Sequence, residues 1–118
     1  MNGIQFVAVS GSGTAGQLAW LTTDRVTWWV GTRDNRRVVR VGTPCAGFEA
    51  GVEVTDEQMT IDRSTMQIAA VACDSPQHEY DAWIHNFAEL PISYTLDGTT
   101  LTLSNDRGSL VLEPVTGD

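Results

Sequence analysis

One stretch of this chain places its apolar residues at helical rather than alternating spacing, and that stretch limits what the rest can become. Tyr80, Trp83, Ile84 and Phe87 gather within about 100° of a helical wheel, while His78, Asp81, His85 and Glu89 fall on the opposite side, read as a solvated face. Asp74-Ser75-Pro76 supplies an N-cap residue followed by proline at the first helical position, where its missing N–H is no loss. Pro91 ends the helix. A single amphipathic helix cannot shelter an aromatic stripe by itself, so the remaining sequence has to provide the cover.

That remainder reads as short strands punctuated by turns. Ile4–Val9 is the first expected strand, followed by a loop over Ser10–Gly16 and strands at Gln17–Thr22 and Arg25–Gly31. In the last of these Val26, Trp28 and Val30 share one face and Trp29 falls on the other with Thr27, because strand side chains alternate. A turn at Thr32–Asn35 leads into Arg36–Val41; Thr55-Asp56-Glu57 joins Phe48–Val54 to Gln58–Asp62. Met66–Ala72 is apolar on both faces, as a buried strand would be. After the helix, Ile92–Leu96 and Thr99–Ser104 flank Asp97-Gly98, a two-residue hairpin signal, and Ser109–Glu113 comes last. The expected fold is α+β, mostly β: a strongly curved, barrel-like antiparallel sheet of about 8–10 short strands packed around the helix. Residues 1–118 form one domain with a short polar tail from Thr116.

Composition narrows function by exclusion. Hydrophobic content of 42% and charged content of 19% are those of a globular protein. No run approaches the ~18 apolar residues of a membrane span, and no basic region precedes an apolar one as in a signal peptide. The net charge of −8 is uneven: +3 up to Thr43, where Arg25, Arg33, Arg36, Arg37 and Arg40 lie, and −11 from Pro44 onward. An acidic body repels phosphate, which disfavours general nucleic-acid binding. The Arg33–Arg40 cluster is then either a solvated hairpin guarding a β-edge or a local patch for an anion or partner. The chain has no lysine, so every side-chain cation except histidine is a planar guanidinium.

The order of these pieces resembles the META domain family, the group containing the heat-shock protein HslJ. The residues that carry the likeness are Cys45 in Pro44-Cys45-Ala46-Gly47-Phe48, Gly51 before Val52-Glu53-Val54, and Met59-Thr60-Ile61. Ala72-Cys73-Asp74 then leads into the helix, and the hairpin Tyr94–Leu103 closes the series. The resemblance runs from about Pro44 to Pro114 and is topological before that. It implies a β-rich fold holding one helix, in proteins commonly exported or lipid-anchored in the bacterial envelope and linked to stress or secretion. It implies no catalytic residue and no cofactor.

Cys45 and Cys73 are either a disulfide, as an exported protein would use, or two buried thiols, as in a cytoplasmic one; a reactive Cys73 thiolate before a helix N-terminus is the third reading. Gly11-Ser12-Gly13-Thr14-Ala15-Gly16 satisfies the spacing of a dinucleotide-binding loop, but the segment after Gly16 is too short for the required helix, so a plain loop is expected. His78 and His85 sit two helical turns apart, about 10 Å, too far to share one metal ion unaided. Trp29 either packs beneath a loop or forms an aromatic-plus-cation patch with Arg33, Arg36 and Arg37, residue types enriched at binding hot spots. The functional expectation is a non-enzymatic envelope or secreted binding module of META type. It would act through Trp29, Arg33, Arg36 and Arg37 on a protein partner or small apolar ligand, without nucleic acid, metal or transmembrane segment. A lipocalin-like barrel holding an apolar ligand is the alternative, and a small hydrolase the third.

Overall fold

A computed structural model of the chain describes residues 2–69 and 71–115; the expected tail from Thr116 lies outside them, as does Ala70 of the apolar run. Nine strands form one antiparallel sheet: β1 (Gln5–Gly13), β2 (Gly16–Gln17), β3 (Thr27–Arg33), β4 (Arg36–Gly42), β5 (Phe48–Val54), β6 (Gln58–Ile68), β7 (Ile92–Asp97), β8 (Thr100–Asn105) and β9 (Gly108–Pro114). The order is β2-β1-β3-β4-β5-β6-β7-β8-β9, and β9 also pairs with β1, so eight strands close into a barrel with β2 as a two-residue flap. Closure uses both edges of β1: Gln5–Val7 pair with β3, and Phe6–Gly13 with β9. The β9 register shifts between Ala8 and Ser10, and the unpaired Val9 turns out to solvent.

Strict alternation fills the interior. Trp28, Val39, Leu101, Leu103, Leu110 and Leu112 are fully buried, while their chain neighbours face outward. An eight-stranded barrel is only wide enough for side chains, so the helix does not thread the axis. Instead α1 (Gln77–Phe87) lies across one end and sends Ile84 and Phe87 inward, both 0% exposed, with Ala88 beside them. Trp83 stacks on Phe87 and rests on Gly13 and Gly108, where a Cβ would come within 2.6 and 2.8 Å of its ring. Tyr80 stacks on Trp20 at 4.4 Å. The Asn105 amide donates to the carbonyls of Phe87 (2.8 Å) and Leu90 (3.5 Å), satisfying two groups at the helix C-terminus.

Several local expectations are corrected. The glycine-rich segment is not a loop: Ser10–Gly13 continue β1, a tight turn comes next, and Gly11 and Gly13 serve as close-packing sites for Leu21 and Trp83. Gln17–Thr22 is not a strand, because Ala19–Thr22 winds into a 3-10 turn that buries Leu21. Pro76 is itself the helix N-cap and no side chain caps it; the backbone carbonyls of Asp74 and Pro76 take the first helical N–H groups instead. The tip of the β3–β4 hairpin is Asp34-Asn35, both at positive φ (53° and 65°), and the β7–β8 turn lies one residue later than expected, at Gly98-Thr99. Gln58–Asp62 and Met66–Ala72 are not separate strands. β6 joins the first to Met66–Ile68 of the second and stops there, looping outward between Asp62 and Gln67 while β5 advances only from Gly51 to Glu49. The expected burial of Met66–Ala72 is not found: Ile68 at the end of β6 is 54% exposed and Val71 beyond it 55%.

The polar helix face also differs. Asp81, expected in solvent, is 8% exposed and accepts hydrogen bonds from the backbone N–H groups of Cys45 (3.0 Å) and Ala46 (2.7 Å). Cys45 and Cys73 form a disulfide across 28 positions with Cα atoms 6.1 Å apart, tying the β4–β5 connection to the segment before α1.

Two measurements probe this end of the barrel. Gly13→Ala must displace the Trp83 ring and is expected to lower stability by about 1–3 kcal/mol, read by denaturant melts. Replacing both cysteines by serine should cost roughly 3–4 kcal/mol through loop-closure entropy in the unfolded state, with the oxidised wild type gaining two hydrogens on reduction by intact mass.

Candidate functional site

The four residues singled out on the β3–β4 hairpin divide into Trp29, covered by a different arginine, and three arginines that border adjoining hollows. Trp29 points outward and its ring folds back over Gly31, where any Cβ would collide with the indole. Its cationic partner is Arg40, stacked at 5.2 Å, and not Arg33, Arg36 or Arg37. The register explains this, since Arg40 pairs directly with Trp29 across the ladder. Arg40 and Arg33 both bind Glu49 of β5, at 3.2 and 3.1 Å, so one carboxylate fixes two guanidinium groups side by side.

Arg36 lies further along the same outer face; Arg37, its neighbour in the strand, alternates to the other face at the end of the barrel, and both border one hollow. Neither has a carboxylate at ion-pair distance among the described residues. An outer-face row runs across the strands here, Gly31 opposite Val38 and Val38 opposite Gly51. Val38, though outward-facing, is only 5% exposed and lines this floor. Opposite, the outward excursion of β6 raises a second wall. Thr65 Oγ1 donates to the Asp62 carbonyl and accepts from the Gly51 N–H, both at 2.8 Å, while Asp62 Oδ1 accepts from Ser64.

Hairpin and excursion together enclose three adjoining depressions of about 670, 310 and 530 Å³. The first is flanked by Arg36, Arg37 and Arg63, the second by Arg33 and Arg36 around Glu49, and the third by Arg33 and Arg40 over Gly42 and Gly47. Five of the seven arginines therefore border one trough, against four of the fifteen carboxylates. An acidic molecule so arranged has a locally cationic groove, where low-dielectric walls focus the field.

A second hollow of about 370 Å³ lies between the end of β6 and α1, lined by the disulfide, Ile68, Val71, Asp81 and His85. Arg63 bridges from β6 to Glu89 at 3.4 Å, and Arg107 binds the same carboxylate. His85 packs against Phe48 at 5.0 Å. Burial pulls its pKa below the ordinary 6.5; Arg63 adds to the lowering and Asp81 opposes it. His78 is exposed on the same helix, and among the described residues no group of three or more His, Cys, Asp or Glu side chains is placed to hold a metal ion. Cys73, the nucleophile a hydrolase reading requires, is bonded to Cys45.

The sequence places Arg40 in the Arg33–Arg40 cluster but does not mark it as the partner of Trp29, and it does not single out Glu49, Gly51 or Arg63 for this face. The signal available was Trp29-x-Gly31, a large ring two positions from a glycine on one strand face.

No family model matches the chain, and no curated protein matches it. Two solved structures share the fold. An NMR structure of a protein from Burkholderia xenovorans is 13% identical, with a TM-score of 0.75 over 98% of this chain and 84% of that one. A second NMR structure is 16% identical, with a TM-score of 0.66 over 96% of this chain and 90% of that one. Among the described residues no helix is long and apolar enough to cross a membrane.

His85 sets an expected pH response. Its proton binds more readily in the unfolded chain, so stability falls as pH drops below 6.5 toward the lower folded value. Comparing wild type with His85→Gln by denaturant melts between pH 7.5 and pH 5, about one unit either side of the histidine range, should show a shallower loss in the variant.

Proposed function

We propose that the chain is a non-enzymatic binding module of the META type, working in the cell envelope or outside the cell, and that it engages an anionic protein partner through the outer face of β3–β6. The observation carrying this reading is the trough itself: Arg36 and Arg37 stand without carboxylate partners among the described residues, on a protein whose net charge is −8. Glu49 holds Arg33 and Arg40 in place, and Arg40 covers Trp29, so part of the surface is ordered before a partner arrives. The Cys45–Cys73 bond supports a location where disulfides persist.

An internal apolar ligand is less well supported. The barrel interior is occupied by Trp28, Phe6, Met59 and the leucines of β8 and β9, all at 0–1% exposure, and emptying it would sacrifice several kcal/mol per large side chain.

Chemical cross-linking of the purified protein in an envelope extract tests the proposal. Wild type should capture a discrete partner that Arg36→Gln/Arg37→Gln loses, with an unchanged melting temperature. Trp29→Ala should weaken capture several-fold while lowering the melt only slightly, since the ring lies outside the barrel. Equal capture by all three proteins would overturn the reading.

A further inference from the structure

The three outer-face depressions adjoin in register with β4, from Arg36 at one end to Gly42 at the other. Six residues of extended strand separate them, about 20 Å. The ends differ in chemistry. At the first, Arg36 Nη2 lies over Gly51, where a Cβ would sit 3.2 Å away; Arg37, which has no carboxylate partner among the described residues, and Arg63 border it together with Glu53 and Asp62. At the other, the surface is made by Val41, Gly42, Gly47 and Ala69, with Ile68 standing 54% exposed at the rim. Between them the walls are the arginine pair clamped by Glu49 and the β6 excursion held by Thr65.

We infer that this trough is a docking track for an extended acidic peptide segment of another protein, with carboxylates on Arg36 and Arg37 and an aliphatic side chain about six residues away against Ile68. This rests on the binding reading above and specifies its partner. A free phosphate would use only the Arg36 end and leave the Ile68 end idle. A nucleic-acid backbone needs cations along its whole path, yet Asp34 and Glu49 line the middle and most of the remaining surface is acidic. A peptide with acid at one end and a branched aliphatic at the other matches both ends. The acidic body repels it everywhere else, which favours the correct site over non-specific contact. Guanidinium groups suit this role because each can take a carboxylate in a two-point fork.

The test is fluorescence anisotropy on the full chain with three labelled peptides: one carrying Asp-Glu and, six residues on, Leu-Val; its Lys-Lys counterpart; and an Asp-Glu peptide with Ser-Ser in place of Leu-Val. The first should bind saturably and at least about ten-fold more tightly than either control, and more weakly as salt rises. Arg36→Gln/Arg37→Gln should weaken it about ten-fold and flatten the salt dependence. Ile68→Asp should weaken it about five- to ten-fold, mainly through dissociation; Ile68→Ser is the substitute if that variant fails to fold by circular dichroism. Loss with the arginine variant but none with either Ile68 variant, or full displacement by millimolar inorganic phosphate, would reduce the trough to a simple anion patch. That overturns the peptide track and leaves the proposed binding function standing. Equal binding of all three peptides overturns the track as well. If the arginine variant both binds the peptide normally and keeps its cross-linked partner, the track and the binding function fall together.

Discussion

The fold depends on how one end of the barrel is stopped. Eight strands are closed into a wall by the β1–β9 ladder, but a closed wall still has a mouth. Ile84 and Phe87 fill it from above, and Trp83 lies flat against the glycines of β1 and β9. The helix is short, eleven residues, and weak on its own in water. Its stability is borrowed from what it covers, and the covered leucines owe their dryness to it. Neither half of that arrangement is sound without the other.

From this anchoring comes the character of the outer surface. With the helix, the disulfide and Asp81 all committed to one end, no helix covers the β3–β6 wall among the described residues, and its own long side chains, Trp29 and the arginines, shelter the Gly31–Val38–Gly51 row beneath them. Interior packing sets the pleat, and the pleat decides that Trp29, Arg40, Glu49 and Gly51 point outward together. The trough is thus a by-product of core alternation onto which charge has been placed.

Much of the architecture was legible because it is local. Val26, Trp28 and Val30 announced a strand face by alternation, the Tyr80–Phe87 spacing announced the helix, and Leu110 with Leu112 announced the closing strand; each needs only its neighbours. The resemblance to META domains pointed to the same β-rich wall and single helix. The features that could not be read were set by partners distant in sequence. Asp81 looked solvated because nothing near it reveals two free N–H groups at Cys45 and Ala46. Trp29 was matched to arginines close in sequence, whereas its partner is the residue opposite it in the ladder. The excursion of β6 likewise exists only relative to β5: Asp62–Gln67 carries no turn signature strong enough to show that the strand would resume.

The connection between β4 and β5 is fastened twice, by sulfur at Cys45 and by a carboxylate that holds the amides of Cys45 and Ala46. Only the first fastening depends on oxidation. The sequence holds two cysteines, so oxidation within the chain has one possible pairing. Forming the bond therefore needs an electron acceptor but no shuffling of wrong bonds between cysteines of this sequence.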